Sequence, residues 1–143
     1  MHTIKQVLGN KEINEIWSVA PDATVFEAIQ EMADKRAGAL LVMQGDKLTG
    51  IISERDYARE VILKGRASRD TLVGEIMSSN VITVPSSLSV DASLVVMTDH
   101  HIRHLPIVDN DSVVGVVSLG DLVKDVIDDQ QTTIDDLQNY IRG

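Results

Sequence analysis

Apolar and polar residues follow one another along this chain in an order that occurs twice. In each copy a short apolar run precedes a segment with helical spacing, then two apolar runs around a tight turn, then a second helical segment. The elements predicted for the first copy are a strand at 16–19, a helix at 24–36, strands at 39–43 and 47–52, and a helix at 55–63. Those predicted for the second copy are a strand at 81–84, a helix at 90–101, strands at 105–108 and 113–117, and a helix at 121–127.

Local signals support the boundaries of these elements. Thr24 and Glu27 have the spacing of a helix capping box, and Gly38 is expected to stop the helix that follows. Gly45-Asp46 and Asp109-Asn110-Asp111 are turn sequences between strands. The expected inner face of the helix at 90–101 consists of Val90, Leu94 and Met97.

Three segments lie outside the copies. A short helix is expected at 3–9, and a last amphipathic helix at 132–142. Residues 73–77 are expected to lead into the second copy.

The two copies align without a gap at a constant offset of 65 residues. Pairing 16–63 with 81–128 gives 11 identities in 48 positions, where average composition gives roughly three by chance. The predicted organisation is an N-terminal helix and lead-in (1–15), a first repeat (16–70), a second repeat (76–130) and a C-terminal helix (131–143). Since one β-α-β-β-α unit leaves a sheet face uncovered, the two repeats are expected to pack with pseudo-twofold symmetry in an α/β (α+β) fold.

The most specific part of the repeat is a seven-residue phrase: Gly, two β-branched residues, Ser, two variable positions and Asp. It reads Gly50-Ile51-Ile52-Ser53-Glu54-Arg55-Asp56 in the first copy and Gly115-Val116-Val117-Ser118-Leu119-Gly120-Asp121 in the second. The Ser and Asp have the spacing of a helix cap. A helix N-terminus also suits a phosphate, and a nearby carboxylate can accept the hydroxyls of a ribose. Both interpretations remain open from these residues alone.

The doubled phrase, the strand Ile102-Arg103-His104-Leu105-Pro106-Ile107-Val108 and the β-α-β-β-α order together resemble a tandem cystathionine-β-synthase (CBS) domain pair, or Bateman module. The resemblance covers nearly the whole chain. It implies a non-catalytic regulatory protein that binds an adenine nucleotide in clefts between its repeats, senses cellular energy and signals to a partner protein. AMP is the first choice of ligand, with ATP, ADP or NAD as alternatives, and a homodimer is expected.

The resemblance also implies roles for individual residues, with the Asp of each phrase holding the ribose and the Ser lying near the phosphates. The first site would contain Ser53, Arg55 and Asp56, an apolar wall of Ile82 and Thr83, and a phosphate end of Arg103 and His104. The second site would contain Ser118 and Asp121, with Trp17, Gly38 and Ala39 across the cleft. Because Gly120 replaces Arg55 in the second copy, we expect the first site to be the more cationic.

Charge and composition exclude several classes of function. The net charge of −9 disfavours electrostatic binding of nucleic acid or of an anionic membrane. No apolar run is long enough for a membrane span, and the first residues lack the apolar stretch of a secretory signal. The absence of cysteine excludes disulfides and thiolate ligands, and it fits a reducing compartment such as the cytoplasm.

Other polar clusters have ordinary explanations. Arg103 could pair with Asp99 instead of a phosphate. Adjacent histidines on a helix point in different directions, so no metal site is expected from His100, His101 and His104. A second basic cluster is expected to be a solvated loop, with contact to a phosphate or an acidic partner as the alternative; it consists of Lys64, Arg66 and Arg69.

Catalysis has little support in the sequence. There is no cysteine nucleophile, no serine flanked by the glycines of a nucleophile elbow, and no Walker or Gly-x-Gly-x-x-Gly loop. Two other functions remain possible: a ligand-free structural or adaptor protein that acts through dimerisation, and a small nucleotide-handling enzyme.

Overall fold

The computed structural model describes residues 2–11 and 16–142, and the predicted lead-in over residues 12–15 lies outside this part of the chain. In chain order the elements are α1 (Ile4–Asn10), β1 (Ser18–Val19), α2 (Val25–Lys35), β2 (Ala39–Gln44), β3 (Lys47–Ser53), α3 (Glu54–Tyr57), α4 (Val73–Ile76), α5 (Val90–His100), β4 (His104–Asp109), β5 (Ser112–Ser118) and α6 (Leu119–Arg142). This mixture of helices and strands confirms the predicted α+β class.

The described residues form two units, each built around one repeat. We call residues 16–82 the first unit, and residues 2–11 with residues 83–142 the second unit.

The first unit contains a three-stranded sheet. β1 lies parallel to β2, and β2 pairs with β3 in an antiparallel hairpin. After β3, α3 continues as a wider π-helical turn over Ala58–Ile62. The buried core joins α2, the hairpin, this turn and α4, and it consists of Val25, Ala28, Met32, Leu40, Val42, Ile52, Val61, Val73 and Ile76.

The second unit contains the hairpin β4–β5. The prediction of a strand at 81–84 is wrong. Val84 forms only a single parallel bridge, to Ile107. In the first unit the Leu41 N–H donates to the Trp17 carbonyl at 3.2 Å and extends the parallel pairing. The residue equivalent to Leu41 is Pro106, which has no N–H to donate. The second sheet therefore lacks a proper third strand.

Each repeat is covered by a short helix that precedes the other repeat in the sequence. α4 packs in the first unit, where Val73 N–H donates to the Ala23 carbonyl at 2.8 Å. α1 packs in the second unit, where Ile4 N–H donates to the Leu88 carbonyl at 2.9 Å. In space, residues 73–77 therefore belong with the first repeat, although in the sequence they lead into the second. We call α1 and α4 the lead-in helices.

The glycine of each repeated phrase lies directly beneath a residue of a lead-in segment. A Cβ on Gly50 would lie 2.5 Å from Met77 Sδ and 3.0 Å from the backbone oxygen of Ser78. A Cβ on Gly115 would lie 2.8 Å from Leu8 Cδ2. Glycine lets the lead-in segment approach this closely. At Gly50 the Ser78 backbone oxygen leaves little room for a side chain, whereas at Gly115 only the flexible end of Leu8 would have to shift.

The residues that end α2 and α5 differ from the prediction. Each helix stops at a residue with left-handed backbone, Arg36 and His101, both with φ of 54°. Gly38 lies two residues beyond this cap and does not end α2 as predicted.

The inner face of α5 also differs from the prediction, because Ser93 is fully buried where Leu94 was expected. The Ser93 hydroxyl donates to the Ser89 carbonyl at 2.8 Å, which allows its burial.

The helices predicted at 121–127 and 132–142 are one continuous helix, α6, of 24 residues. No glycine or proline occurs between Asp121 and Arg142, so nothing in the local sequence ends the first segment. The prediction of a separate short C-terminal helix is therefore wrong.

Replacement of Gly50 by alanine is expected to destabilise the first unit. The new methyl group would displace Met77 and disturb the hydrogen bond at 3.0 Å from Ile51 N–H to the Ser78 carbonyl. We expect a loss of about 1–3 kcal/mol, measured by urea unfolding followed by circular dichroism. Gly9→Ala is the control, because its Cβ meets nothing within 4 Å. Equal stability of the two variants would contradict the close approach at Gly50.

Candidate functional site

Each Ser-x-x-Asp turn lies where a hairpin strand ends and a helix begins. In the first unit Ser53 pairs with Ala39 across the hairpin, and Glu54 N–H donates to the Gly38 carbonyl at 3.1 Å. In the second unit Ser118 pairs with His104 in the same way. The structure thus places both turns in equivalent positions of the two hairpins, as the repeat predicts.

In the first turn, Ser53 and Asp56 form a complete helix cap. The Ser53 N–H and hydroxyl both donate to Asp56 Oδ2, at 2.9 Å and 3.0 Å. The Asp56 N–H donates back to Ser53 Oγ at 3.2 Å. The predicted cap is therefore present. Asp56 Oδ1 accepts no hydrogen bond within the described residues, so one oxygen of the carboxylate is available.

The second turn repeats this cap and adds a lysine. The Ser118 N–H donates to Asp121 Oδ2 at 2.8 Å, and the Asp121 N–H donates to Ser118 Oγ at 3.1 Å. Lys11, just after α1, donates to the same Asp121 Oδ2 at 3.0 Å and to the Val116 carbonyl at 3.0 Å. Again the described part of the chain gives Oδ1 of this aspartate no donor.

Lys11 takes the place of a backbone contact that exists in the first unit. There the carbonyl of Ile51, equivalent to Val116, accepts the Ser78 N–H at 2.9 Å. In the second unit the equivalent carbonyl accepts the ammonium of Lys11 instead. Lys11 was not predicted as a site residue because it lies outside the 65-residue repeat. A signal did exist, since residues 3–11 align with residues 72–80 at an offset of 69, which matches the two lead-in helices.

Electrostatics hold Asp121 in its ionised form. Burial raises the pKa of Asp121, but hydrogen bonds from Ser118 and Lys11, together with the positive charge of Lys11, outweigh burial and bring the pKa below its usual value of 3.8. The stability that this carboxylate contributes is therefore present above pH 3.8 and is lost as the pH falls through the lower folded pKa.

A cavity of about 410 Å³ opens beside the second turn. It lies between the α1 region and α6, entirely within the second unit. Its lining carries three aspartates, two lysines and a histidine, and consists of His2, Val7, Asn10, Lys11, Asp121, Lys124, Asp125 and Asp128. His2 Nδ1 lies 2.9 Å from Asp125 Oδ1 and ties the start of the described chain to α6.

The other predicted site residues are divided between the units. Trp17 and Ile82 belong to the first unit, and the Lys35 ammonium lies 5.9 Å from the Trp17 ring centroid. Thr83 and Arg103 belong to the second unit, where the Arg103 carbonyl accepts the Leu119 N–H at 2.8 Å. The grouping of Ile82, Thr83, Arg103 and His104 around the first turn stays a prediction from the resemblance.

The basic residues at 64–69 have protein partners. Arg66 Nη2 lies 2.6 Å from Glu75 Oε2, and the Arg69 guanidinium lies 4.2 Å from the Phe26 ring centroid. Lys64 pairs with Glu60. These contacts favour a structural role for the cluster over phosphate binding.

The fold and the two matched turns define a class of protein built from a duplicated β-α-β-β-α unit. The sequence profile of the CBS domain matches residues 11–63 and 73–128 of this chain. The chain therefore belongs to the CBS domain family, with two domains in tandem, as the resemblance predicted.

Relatives support this assignment along almost the whole length. CBSX3, a mitochondrial CBS domain-containing protein of Arabidopsis thaliana, is 38% identical over 99% of this chain and 72% of its own length. The structure of a protein with CBS domains from Burkholderia ambifaria MC40-6 is 46% identical, with a TM-score of 0.87, over 90% of this chain and 96% of that one. The CBS domain pair of protein MJ0100 was solved with 5′-methylthioadenosine and S-adenosyl-L-methionine; it is 25% identical, with a TM-score of 0.76, over 87% of this chain and 94% of that one.

Residues 2–11 and 16–142 contain neither a membrane-spanning helix nor a cluster of metal ligands. No helix there is both long and apolar enough to cross a membrane. No group of three or more His, Asp or Glu side chains there is arranged to hold a metal ion.

Replacement of Lys11 by methionine is expected to raise the pKa of the Asp121 carboxyl, because it removes both a hydrogen bond and a positive charge. The stability that Asp121 loses in acid should therefore be smaller than in the wild type, because its folded pKa lies closer to the unfolded value of 3.8. NMR titration of the side-chain carboxyl carbon measures this pKa directly. Lys124→Met, in the same cavity but not bonded to Asp121, is the matched control. An unchanged pKa in Lys11→Met would contradict the ion pair.

Proposed function

We propose that this protein is a regulatory module that binds an adenine nucleotide at its Ser-x-x-Asp turns, with AMP as the first choice and ATP, ADP or NAD as alternatives. The observation that carries the proposal is the pair of matched turns, each with an aspartate held in place through Oδ2 while Oδ1 remains available. Two relations support it. The chain belongs to the CBS domain family, and the MJ0100 domain pair binds two compounds that contain adenosine.

In this proposal Asp56 and Asp121 accept ribose hydroxyls through their available oxygens. Such hydrogen bonds to a charged acceptor are worth about 1.5–3 kcal/mol each. Ser53 and Ser118 position the aspartates through the caps described above. The residues that the resemblance adds from elsewhere, including Arg103 and His104, are proposed to contact phosphate.

We expect the two turns to select different ligands. The first turn carries Arg55, whose exposed guanidinium is suited to a phosphate. The cavity beside the second turn contains three aspartates against two lysines, so it disfavours a ligand with several negative charges. Uncharged adenosine, or the far half of a dinucleotide, fits this balance better.

The proposed regulatory signal acts on other proteins. The relatives are named as CBS domain-containing proteins, which supports a non-catalytic role. We propose that the chain acts as a homodimer in the cytoplasm, that it reports cellular energy through the nucleotide it binds, and that it passes the signal to a partner protein. A ligand can transmit such a signal only if it binds one conformation more tightly than another.

A ligand-free adaptor is the second candidate function. It is favoured by the caps, which already use one oxygen of each aspartate, and by Lys11, which neutralises Asp121. Mass spectrometry of small molecules released from freshly purified protein separates the two candidates. A co-purified adenine nucleotide supports the regulatory module. The adaptor is supported if no nucleotide is released and a panel of adenine nucleotides gives no thermal shift.

Replacement of Asp56 by asparagine is expected to weaken AMP binding about tenfold to a hundredfold, measured by calorimetry. Asparagine keeps one oxygen for the Ser53 cap but replaces the other with an amide that cannot accept a hydroxyl. Asp121→Asn should have a smaller effect on AMP and a larger effect on adenosine. Asp46→Asn, in the hairpin turn, is the control. Equal losses of AMP affinity at both turns would contradict the proposed difference between them.

A further inference from the structure

α6 carries an apolar stripe that nothing in the described chain covers. From Gln130 to Arg142 every side chain is exposed. The residues of this stripe are between 43% and 81% exposed, and they are Val123, Ile127, Ile134, Leu137 and Ile141. An isolated helix as short as the segment from Gln130 to Arg142 is only marginally stable in water. We therefore expect a partner to cover its apolar face and stabilise it.

The stripe follows a heptad pattern. If Ile127 is an a position, then Ile134 and Ile141 are also a positions, each seven residues apart. Leu137 and Val123 then fall at d positions. Isoleucine at a with leucine at d favours parallel two-stranded coiled coils. The remaining d position is Gln130, whose amide can hydrogen-bond to the same residue of a partner helix in register.

The charges of α6 indicate what kind of partner fits. All five aspartates after Asp121 lie at b, c or f positions, away from the seam, and they are Asp125, Asp128, Asp129, Asp135 and Asp136. The e and g positions, which flank the seam, carry no acid and consist of Lys124, Val126, Gln131, Thr133, Gln138 and Tyr140. Two acidic copies can therefore meet along the stripe without contact between carboxylates. A basic partner would find no carboxylate at the seam to pair with.

We propose that α6 pairs with α6 of a second copy of this chain as a parallel two-stranded coiled coil with Gln130 in register. The interface is isologous, so the same stripe serves both copies. From Val123 to Ile141 the seam is about 27 Å long at the usual rise per residue. This proposal deepens the homodimer of the proposed function and does not depend on the identity of the ligand.

The test compares two double variants that add the same charge to the exposed part of α6. Ile134→Asp with Leu137→Asp places carboxylates in the seam, and Thr132→Asp with Asn139→Asp places them at f positions. By sedimentation equilibrium up to about 100 μM, we expect the wild type and the f-position variant to be dimers. We expect the seam variant to raise the dissociation constant at least about a hundredfold. Circular dichroism verifies that both variants remain folded.

A cysteine variant tests the parallel direction, and the chain has no cysteine of its own to interfere. In a parallel pair two Ile141 positions lie together, whereas in an antiparallel pair they lie about 27 Å apart. Mild oxidation of Ile141→Cys should give a disulfide-linked dimer, and Asn139→Cys, at an f position, should give far less.

Several results would overturn the coiled coil: a monomeric wild type at 100 μM, equal dissociation constants for the two double variants, or failure of Ile141→Cys to cross-link. Binding of AMP is measured on the same proteins to separate the two proposals. Loss of the dimer with nucleotide binding intact refutes only the coiled coil. A normal dimer without nucleotide binding refutes only the ligand proposal.

Discussion

The contact between a lead-in segment and a motif glycine is the constraint on which each unit depends. Met77 lies on Gly50 in the first unit, and Leu8 lies on Gly115 in the second. Each contact closes the core on one side of the strand that ends in the Ser-x-x-Asp turn. Because the helix that covers a repeat comes from the segment before the other repeat, neither repeat is a complete folding unit by its own sequence alone.

The fact that each repeat is covered by the segment before the other one also explains why the two turns differ chemically. In the first unit the segment after α4 pairs its backbone with Ile51, and the turn is held by Ser53 and Asp56 alone. In the second unit α1 continues to Asn10, beyond the position equivalent to the end of α4, and the side chain of Lys11 reaches both Val116 and Asp121. One aspartate therefore stands beside an ammonium and the other does not. This difference comes from the lead-in segments and not from the repeats themselves.

α6 connects the proposed ligand site with the proposed interface. The helix begins directly after Ser118, borders the cavity through Asp121 and Asp125, and continues into the exposed stripe that ends at Ile141. A ligand that changes the position of the first turn of α6 would therefore act on the same rigid element that joins two copies. Transmission through a single helix requires no long chain of coupled contacts.

Most of the two hairpins, the helices α2 and α5, the family and both Ser-x-x-Asp caps could be predicted from the sequence, because these depend on local spacing and on a gap-free repeat. Prediction failed where the outcome depends on a partner elsewhere in the chain. Pro106 removes a donor that only the parallel neighbour of β4 could have used, so the strand at 81–84 is reduced to the bridge at Val84. Tertiary contacts alone place α1 on the second repeat and α4 on the first, and they bring Lys11 to Asp121. Those contacts join residues far apart in the chain, and no local pattern encodes which surface a short helix will cover.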